Sequence, residues 1–410
     1  MNHLARTAAA ASIAALSLLL SCGRQDSFSI EGHISGLHTG DTLRFSAIEI
    51  PGWGETHAFD IVVGDTSGFS YTGRLAHDQY FSYEYLPSNG SPEPSDRTGK
   101  TFIARPGDRL SLEGSRRDIY YATLSGGIYD EPMLAELLRV GDSLGIIRAG
   151  YARNIELAGQ QGDTEAMREW AGKFNSFYYD NPGIERQARL ESGYAAANPQ
   201  GTLYLLVDRL PSISYEPLDS VKAVFEAYSD ETRQSWYGRK TAAYIEKIES
   251  LAPGMPAPEF TLVTTSGDTL TKPDFAGKYL LFYHWGLCPG SLYIDRQVTD
   301  LHDRYSGRGL EVIGLTESVA SIREVYETTQ TGGDAAMSAT LKGMLEHAWP
   351  EVELETDRPE NAAINDSYEV SGWPFFILIG PDGRLLARGF TDAFYDAEEI
   401  LSERLGHVLA

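Results

Sequence analysis

Lys278-Tyr279-Leu280-Leu281-Phe282-Tyr283-His284-Trp285-Gly286-Leu287-Cys288-Pro289-Gly290-Ser291-Leu292 is the stretch whose reading decides the fold. The unbroken apolar run from Tyr279 to Tyr283 predicts a strand buried on both faces. It delivers Cys288 to a Pro-Gly turn where a helix can begin, since proline suits the first helical position. The 410 residues hold only one other cysteine, Cys22, so the chain is organised around presenting the Cys288 thiol.

Outward from this stretch, strands and helices alternate. The breaker cluster Pro253-Gly254-Met255-Pro256-Ala257-Pro258 sets the boundary before it. A strand from Glu259 to Val263, a turn at Ser266-Gly267-Asp268 and the Cys288 strand follow. A helix from Ser291 to Tyr305 then leads to a strand Leu310–Leu315, a helix Ser321–Thr328, a loop at Thr331-Gly332-Gly333 and a helix Met337–His347. The chain closes with a strand Phe375–Ile379, a turn at Pro381-Asp382-Gly383, a strand Arg384–Gly389 and a helix Ala397–Leu405. Alternation of this kind, ending in a hairpin, predicts an α/β mixed sheet covered on both faces.

The N-terminal part differs. From Phe28 to about Thr123, short β-prone runs alternate with Gly, Asp and Ser turns: 28–34, 42–50, 69–72, 80–85, 101–104 and 109–113. Such spacing predicts an antiparallel β-sandwich or small barrel. His33, His38, His57 and His77 match no metal-ligand spacing and read as isolated surface or turn residues. Pro87–Lys100, dense in Pro, Ser, Gly and Asn, reads as a long loop. After Tyr129 the period becomes helical: Met133, Leu134, Leu137, Leu138 and Leu144 mark one face, and Asp163 caps a second helix whose stripe is Met167, Trp170, Phe174, Phe177 and Tyr178. The expected layout is a β-sandwich domain over 22–125, a helical domain over 126–252 and an α/β domain over 253–410.

Residues 1–21 read as a signal peptide, with Arg6, an apolar segment from Thr7 to Leu20, and Leu19-Leu20-Ser21-Cys22. That ending resembles the lipobox of bacterial lipoproteins, which implies acylation of Cys22 and a cell-envelope location, held to the membrane by lipid. Removal of 1–21 leaves 410 − 21 = 389 residues. Lys and Arg number 34 against 58 Asp and Glu; without Arg6 the formal charge is 33 − 58 = −25. So acidic a surface repels phosphate backbones, and nucleic acid is excluded as a partner. With Cys22 acylated, Cys288 has no intrachain partner for a disulfide.

The segment 253–410 resembles the thioredoxin-fold family of exported TlpA-like and ResA-like thiol-disulfide oxidoreductases. Five pieces carry the resemblance in order: Gly254-Met255-Pro256-Ala257-Pro258-Glu259-Phe260, Asp274-Phe275-Ala276-Gly277-Lys278, Trp285-Gly286-Leu287-Cys288, Gly309-Leu310-Glu311-Val312-Ile313-Gly314, and Val370-Ser371-Gly372-Trp373-Pro374 leading to Pro381-Asp382-Gly383. The β-rich start and helical insert are similar to the family's lipoprotein branch. The resemblance implies a thioredoxin-like fold, a cis peptide bond before Pro374 facing the thiol, and Trp285 as the tryptophan near the site. It implies no cofactor and no metal. Where the family carries a second cysteine this chain has Ser291, so the site reads Cys288-Pro289-Gly290-Ser291.

A helix N-terminus favours the thiolate of Cys288 and its attack on a disulfide. Completing a dithiol cycle needs a second thiolate, which the serine hydroxyl cannot supply. What remains is single-thiol exchange with a protein or small thiol or disulfide, a Cys288-linked dimer, or a reversible sulfenate. The second possibility is a redox-inactive binding or assembly lipoprotein on the same scaffold. A one-cysteine peroxidase ranks third, because its pattern would require threonine at Trp285 and proline at Leu281.

Overall fold

A computed structural model of the chain describes residues 26–48, 57–64, 68–89, 100–332, 335–354 and 358–406. Cys22 and most of the Pro87–Lys100 loop lie outside them. The chain forms two compact units, the first ending at Ala242 and the second beginning at Ala243.

In the first unit the described strands are β1 (Ser27–Ser35), β2 (Thr42–Ala47), β3 (Ala58–Val62), β4 (Gly68–Arg74), β5 (Gln79–Leu86), β6 (Thr101–Ala104), β7 (Arg109–Ser115) and β8 (Thr123–Ser125). They pair as two sheets, β4-β1-β7-β8 and β3-β2-β5-β6. In β5, Phe81, Tyr83 and Tyr85 are buried and alternate with Ser82 and Glu84, the period of two that turns one face inward. Rings from both sheets meet in one core: Phe59 stacks on Tyr71 at 4.1 Å, and Phe28 lies parallel to Phe81 at 6.3 Å. One feature departs from the antiparallel expectation, for β1 pairs in parallel with β7. The intervening chain makes the whole second sheet, and a parallel neighbour needs a crossover of that kind.

Helices follow: α1 (Pro132–Gln161), α2 (Thr164–Asp180), α3 (Pro182–Ala197), α4 (Leu203–Arg209), α5 (Leu218–Ala227), α6 (Asp230–Gln234) and α7 (Trp236–Ser250). The Glu131 carboxylate accepts the Met133 and Leu134 amides at the start of α1, and Asp163 accepts the Ala166 amide at the start of α2. The buried stripe of α1 runs Leu134, Leu137, Val140, Leu144, and Met133 lies beside it, exposed. Leu134 and Leu137, with Tyr194 of α3, complete the core of the β-sheets. Only Phe177 of the α2 stripe is buried, in a cluster with Val140 and Leu144 of α1; Met167 and Tyr178 are exposed, and Arg148 lies over the Phe174 ring at 4.0 Å.

The second unit contains the hairpin β9 (Thr261–Val263) and β10 (Thr269–Thr271), then β11 (Tyr279–His284), α8 (Pro289–Tyr305), β12 (Leu310–Thr316), α9 (Val319–Gly332), α10 (Ala335–Leu345), β13 (Glu351–Glu353), α11 (Pro359–Tyr368), β14 (Phe375–Ile379), β15 (Leu385–Gly389) and α12 (Thr391–Leu405). Five strands form one sheet in the order β13-β12-β11-β14-β15. β11, β12 and β13 run parallel, and β14 and β15 antiparallel to their neighbours. Alternate residues of β11 enter two cores, as burial on both faces requires. Leu281 and Tyr283 pack with Ile294, Val298 and Leu301 of α8 and Phe394 of α12; Leu280 and Phe282 pack with Ile364 and Tyr368 of α11. This is a thioredoxin-like arrangement.

Thr331 and Gly332 belong to α9 rather than to a loop, and Gly333 lies outside the described residues. The short β10 and β13 and the helix α11 carry too little periodicity to stand out in the sequence. Asn361 fixes α11: fully buried, it accepts the Val263 amide at 2.8 Å and donates to the Val263 and Glu353 carbonyls at 3.0 and 2.9 Å. Asn361→Ala leaves those backbone groups unpaired and should destabilise the second unit by about 2–4 kcal/mol. Urea unfolding followed by hydrogen exchange over β9 and β13 measures it.

Candidate functional site

β11 ends at His284, and Trp285, Gly286 and Leu287 carry the chain to Cys288 at the N-cap of α8. The cap is a sulfur: the Ser291 amide donates to Cys288 Sγ at 3.2 Å. Sγ is 3.3 Å from Ser291 Oγ and 3.6 Å from the Trp373 carbonyl, both able to accept the thiol proton. Ser291 is fully buried and its Oγ also accepts the Gly286 amide at 3.3 Å. When the sulfur is a thiolate, the same hydroxyl can turn and donate to it. Cys288 itself is half-buried, so an incoming sulfur can reach it.

The Trp373-Pro374 peptide bond is cis, and it closes over the first turn of α8. A Cβ on Gly290 would lie 2.8 Å from Pro374 Cδ, so glycine is what lets the proline approach the thiol-bearing turn. His284 Nδ1 lies 2.9 Å from the Gly372 carbonyl and ties the end of β11 to this loop. The structure thus brings Cys288, Ser291 and Pro374 together. Trp285 goes elsewhere: it is 1% exposed and its indole N–H donates to Glu351 Oε2 at 3.0 Å, inside the core under α8. The indole open to solvent beside the thiol is that of Trp373, with Leu287 and Tyr293 also exposed on neighbouring positions.

Beneath the thiol lies a polar cluster that sequence reasoning missed. The Tyr283 hydroxyl donates to Asp295 Oδ1 at 3.3 Å; His347 Nε2 is 2.9 Å from Asp295 Oδ1 and His347 Nδ1 is 2.6 Å from Glu351 Oε1. Both ring nitrogens face carboxylates, so the geometry calls for a doubly protonated imidazolium. Burial works against that charge, yet the hydrogen bonds to Asp295 and Glu351 outweigh it and raise His347 to about 9. Burial likewise raises Glu351. These residues come from α8, β11, β13 and the segment after α10, so no local spacing announces them. Tyr283, inside an apolar run, reads as an ordinary core residue.

The site offers a half-buried thiol at a helix N-terminus, with the Trp373 carbonyl on one side of it and the Ser291 hydroxyl on the other. Among the described residues no group of three or more His, Cys, Asp or Glu is placed to hold a metal ion. Nor is any helix among them long and apolar enough to cross a membrane.

No protein-family model matches the chain, and no curated protein does. Among solved structures the chain is similar to the thioredoxin domain of a thiol-disulfide oxidoreductase from Bacteroides vulgatus, at 21% identity over 37% of this chain and 99% of that one, with a TM-score of 0.28. It is similar to a thiol:disulfide interchange protein from a Bacteroides species, at 20% identity over 38% and 91%, TM-score 0.29. A thiol-disulfide oxidoreductase from Bacteroides fragilis is 23% identical over 36% of this chain and 98% of that one, TM-score 0.27.

Proposed function

We propose that this chain is an exported, lipid-anchored thiol-disulfide exchange protein that works through the single thiol of Cys288. The observation that carries the reading is the sulfur cap: Sγ takes a backbone N–H at the N-terminus of the seventeen-residue helix α8 while remaining half-exposed beside Pro374. Donors and dipole both favour the anionic sulfur. In the forward step the Cys288 thiolate attacks one sulfur of R–S–S–R′, forming Cys288–S–S–R and releasing R′–S⁻, which takes a proton from water. Ser291 cannot resolve that mixed disulfide, so an external thiol must attack it and release Cys288. The test is turnover of a small disulfide by the full chain in the presence of a second thiol, against Cys288→Ala.

A second reading, a binding or assembly lipoprotein on the same scaffold, draws on Ser291 standing where a resolving thiol would. On that reading Cys288→Ala keeps every partner captured by the wild-type chain. Anchoring rests on Leu19-Leu20-Ser21-Cys22 alone. Intact mass of membrane-extracted protein should show cleavage before Cys22 and the added acyl chains; an unmodified Cys22 would rule the anchor out.

A further inference from the structure

His284 closes β11, a strand whose other residues are Tyr, Leu and Phe. It is 4% exposed and sits across from Leu315 of β12 and Phe375 of β14. An imidazole in such a place is kept only where its nitrogens meet partners. Nδ1 lies 2.9 Å from the Gly372 carbonyl, which can only accept, so Nδ1 carries the proton. Nε2 is buried without a hydrogen bond among the described residues and faces the Glu317 carboxylate, just after β12, at 3.4 Å.

The Nδ1 contact reaches the sulfur in two steps. Gly372 is joined to Trp373, and the Trp373 carbonyl lies 3.6 Å from Cys288 Sγ. The indole of Trp373 rests on the backbone of Gly286, where a Cβ would lie 2.8 Å from Nε1, and its ring centre is 6.1 Å from that of His284. Residue 373 is therefore held through its neighbour's carbonyl on one side and its own ring on the other. The hydroxyl of Ser291 decides what that carbonyl does. Ser291 Oγ accepts the Gly286 amide and, being fully buried, has to place its own proton on an acceptor; among the described residues that acceptor is Sγ. The thiol proton is left to the Trp373 carbonyl. A hydrogen bond from the neutral form favours that form, so this carbonyl opposes the helix terminus and the Ser291 amide, which favour the anion.

We propose that His284 is a positioning residue for Cys288: by donating Nδ1–H to the Gly372 carbonyl it sets the Trp373 carbonyl against the sulfur, where it accepts the thiol proton and holds the resting thiol protonated. The inference rests on Cys288 being the reactive group of the chain.

The experiment is the second-order rate of iodoacetamide alkylation at Cys288 in the full chain from pH 5 to 10, read by mass spectrometry of the Cys288 peptide. His284→Phe keeps a ring and removes the donor. It should move the midpoint of the pH–rate profile to lower pH and speed the reaction below the wild-type midpoint by roughly threefold, the order of one modest hydrogen bond. His284→Asn should overlay the wild type, because its amide nitrogen branches from Cγ as Nδ1 does. His284→Gln, whose nitrogen lies one atom further out, should follow His284→Phe and is read in its place where the phenylalanine chain does not fold. A donor-free variant with unchanged near-UV circular dichroism and the wild-type profile overturns the proposal. So does a His284→Asn profile displaced as far as that of His284→Phe, since the ring and not the donor would then matter. A purely structural histidine would lower stability in these variants and leave the profile alone. Disulfide turnover is assayed separately: a chain with the displaced alkylation profile that exchanges no disulfide overturns the exchange reading and leaves this inference standing.

Discussion

Mixed with an aromatic disulfide such as 5,5′-dithiobis(2-nitrobenzoate), the full chain should release aryl thiolate in proportion to its Cys288 content and stop there. The product is Cys288–S–S–aryl, and no neighbouring thiol attacks it: the side chain at hydrogen-bond distance from the sulfur is that of Ser291, whose Oγ, 3.3 Å away, is a hydroxyl. The adduct should persist until an external thiol is added. Cys288→Ala should give no adduct at this position. Ser291→Cys should behave differently from both, because it places a second sulfur on the same turn at a separation that small side-chain rotations close to a disulfide. In that variant the adduct should collapse, releasing a second equivalent of aryl thiolate and leaving an intrachain disulfide that changes electrophoretic mobility. A persistent adduct in Ser291→Cys would show that α8 cannot bring residue 291 onto the sulfur. Spontaneous loss of the wild-type adduct in the absence of external thiol would contradict single-thiol chemistry.

His347 carries the second large effect. Replacing it by leucine leaves Asp295 and Glu351 buried without their cation, and breaking a buried pair in this way costs about 3–5 kcal/mol. The pH dependence has a definite sign. His347 is raised from 6.5 to about 9, so its stabilisation is complete below pH 6.5 and disappears as pH climbs through 9. At 1.36 kcal/mol per unit that difference is worth roughly 3 kcal/mol. Glu351, raised by burial, also binds its proton more readily folded than unfolded, so it weakens the fold in the same direction through its own titration at lower pH. Hydrogen exchange over β11 and β12, corrected for intrinsic rates, should show protection falling between pH 7 and 10 in the wild type and little change in His347→Leu. Wild-type protection that stays level across that range would refute the assignment of a buried imidazolium.

Both effects bear on what could be seen before folding. The strand, the thiol and the start of α8 were legible because they are local: an apolar run of five residues, a Pro-Gly turn and an amphipathic helix lie within one continuous stretch. Pro374 was legible through resemblance, since nothing in its own neighbourhood fixes the isomer of the bond before it. The edge of the sheet was harder. β13 is three residues long and α11 has a weak apolar pattern, and Asn361 holds them in place with hydrogen bonds to chain almost a hundred residues away. In the first unit the alternation along β5 and β7 gave the inward faces, whereas the parallel pairing of β1 with β7 depends on which strands the second sheet claims.

Sequence by itself determined the count of thiols, the serine at 291, the acidic surface and the signal-like start, because composition and order are properties of the chain in any conformation. It also determined that β11 is buried on both faces, since the run from Tyr279 to Tyr283 carries no charged residue to turn toward water. Tertiary structure alone decided where the two tryptophans go: Trp285 turns inward to Glu351, and Trp373, eighty-eight residues further on, brings its carbonyl to the sulfur. It alone decided that Tyr283, Asp295, His347 and Glu351 meet. Side chains from three elements and the segment after α10 come within hydrogen-bond distance only through strand register, the space over Gly314 and the packing of α8, and none of those is written in the spacing of residues along the chain.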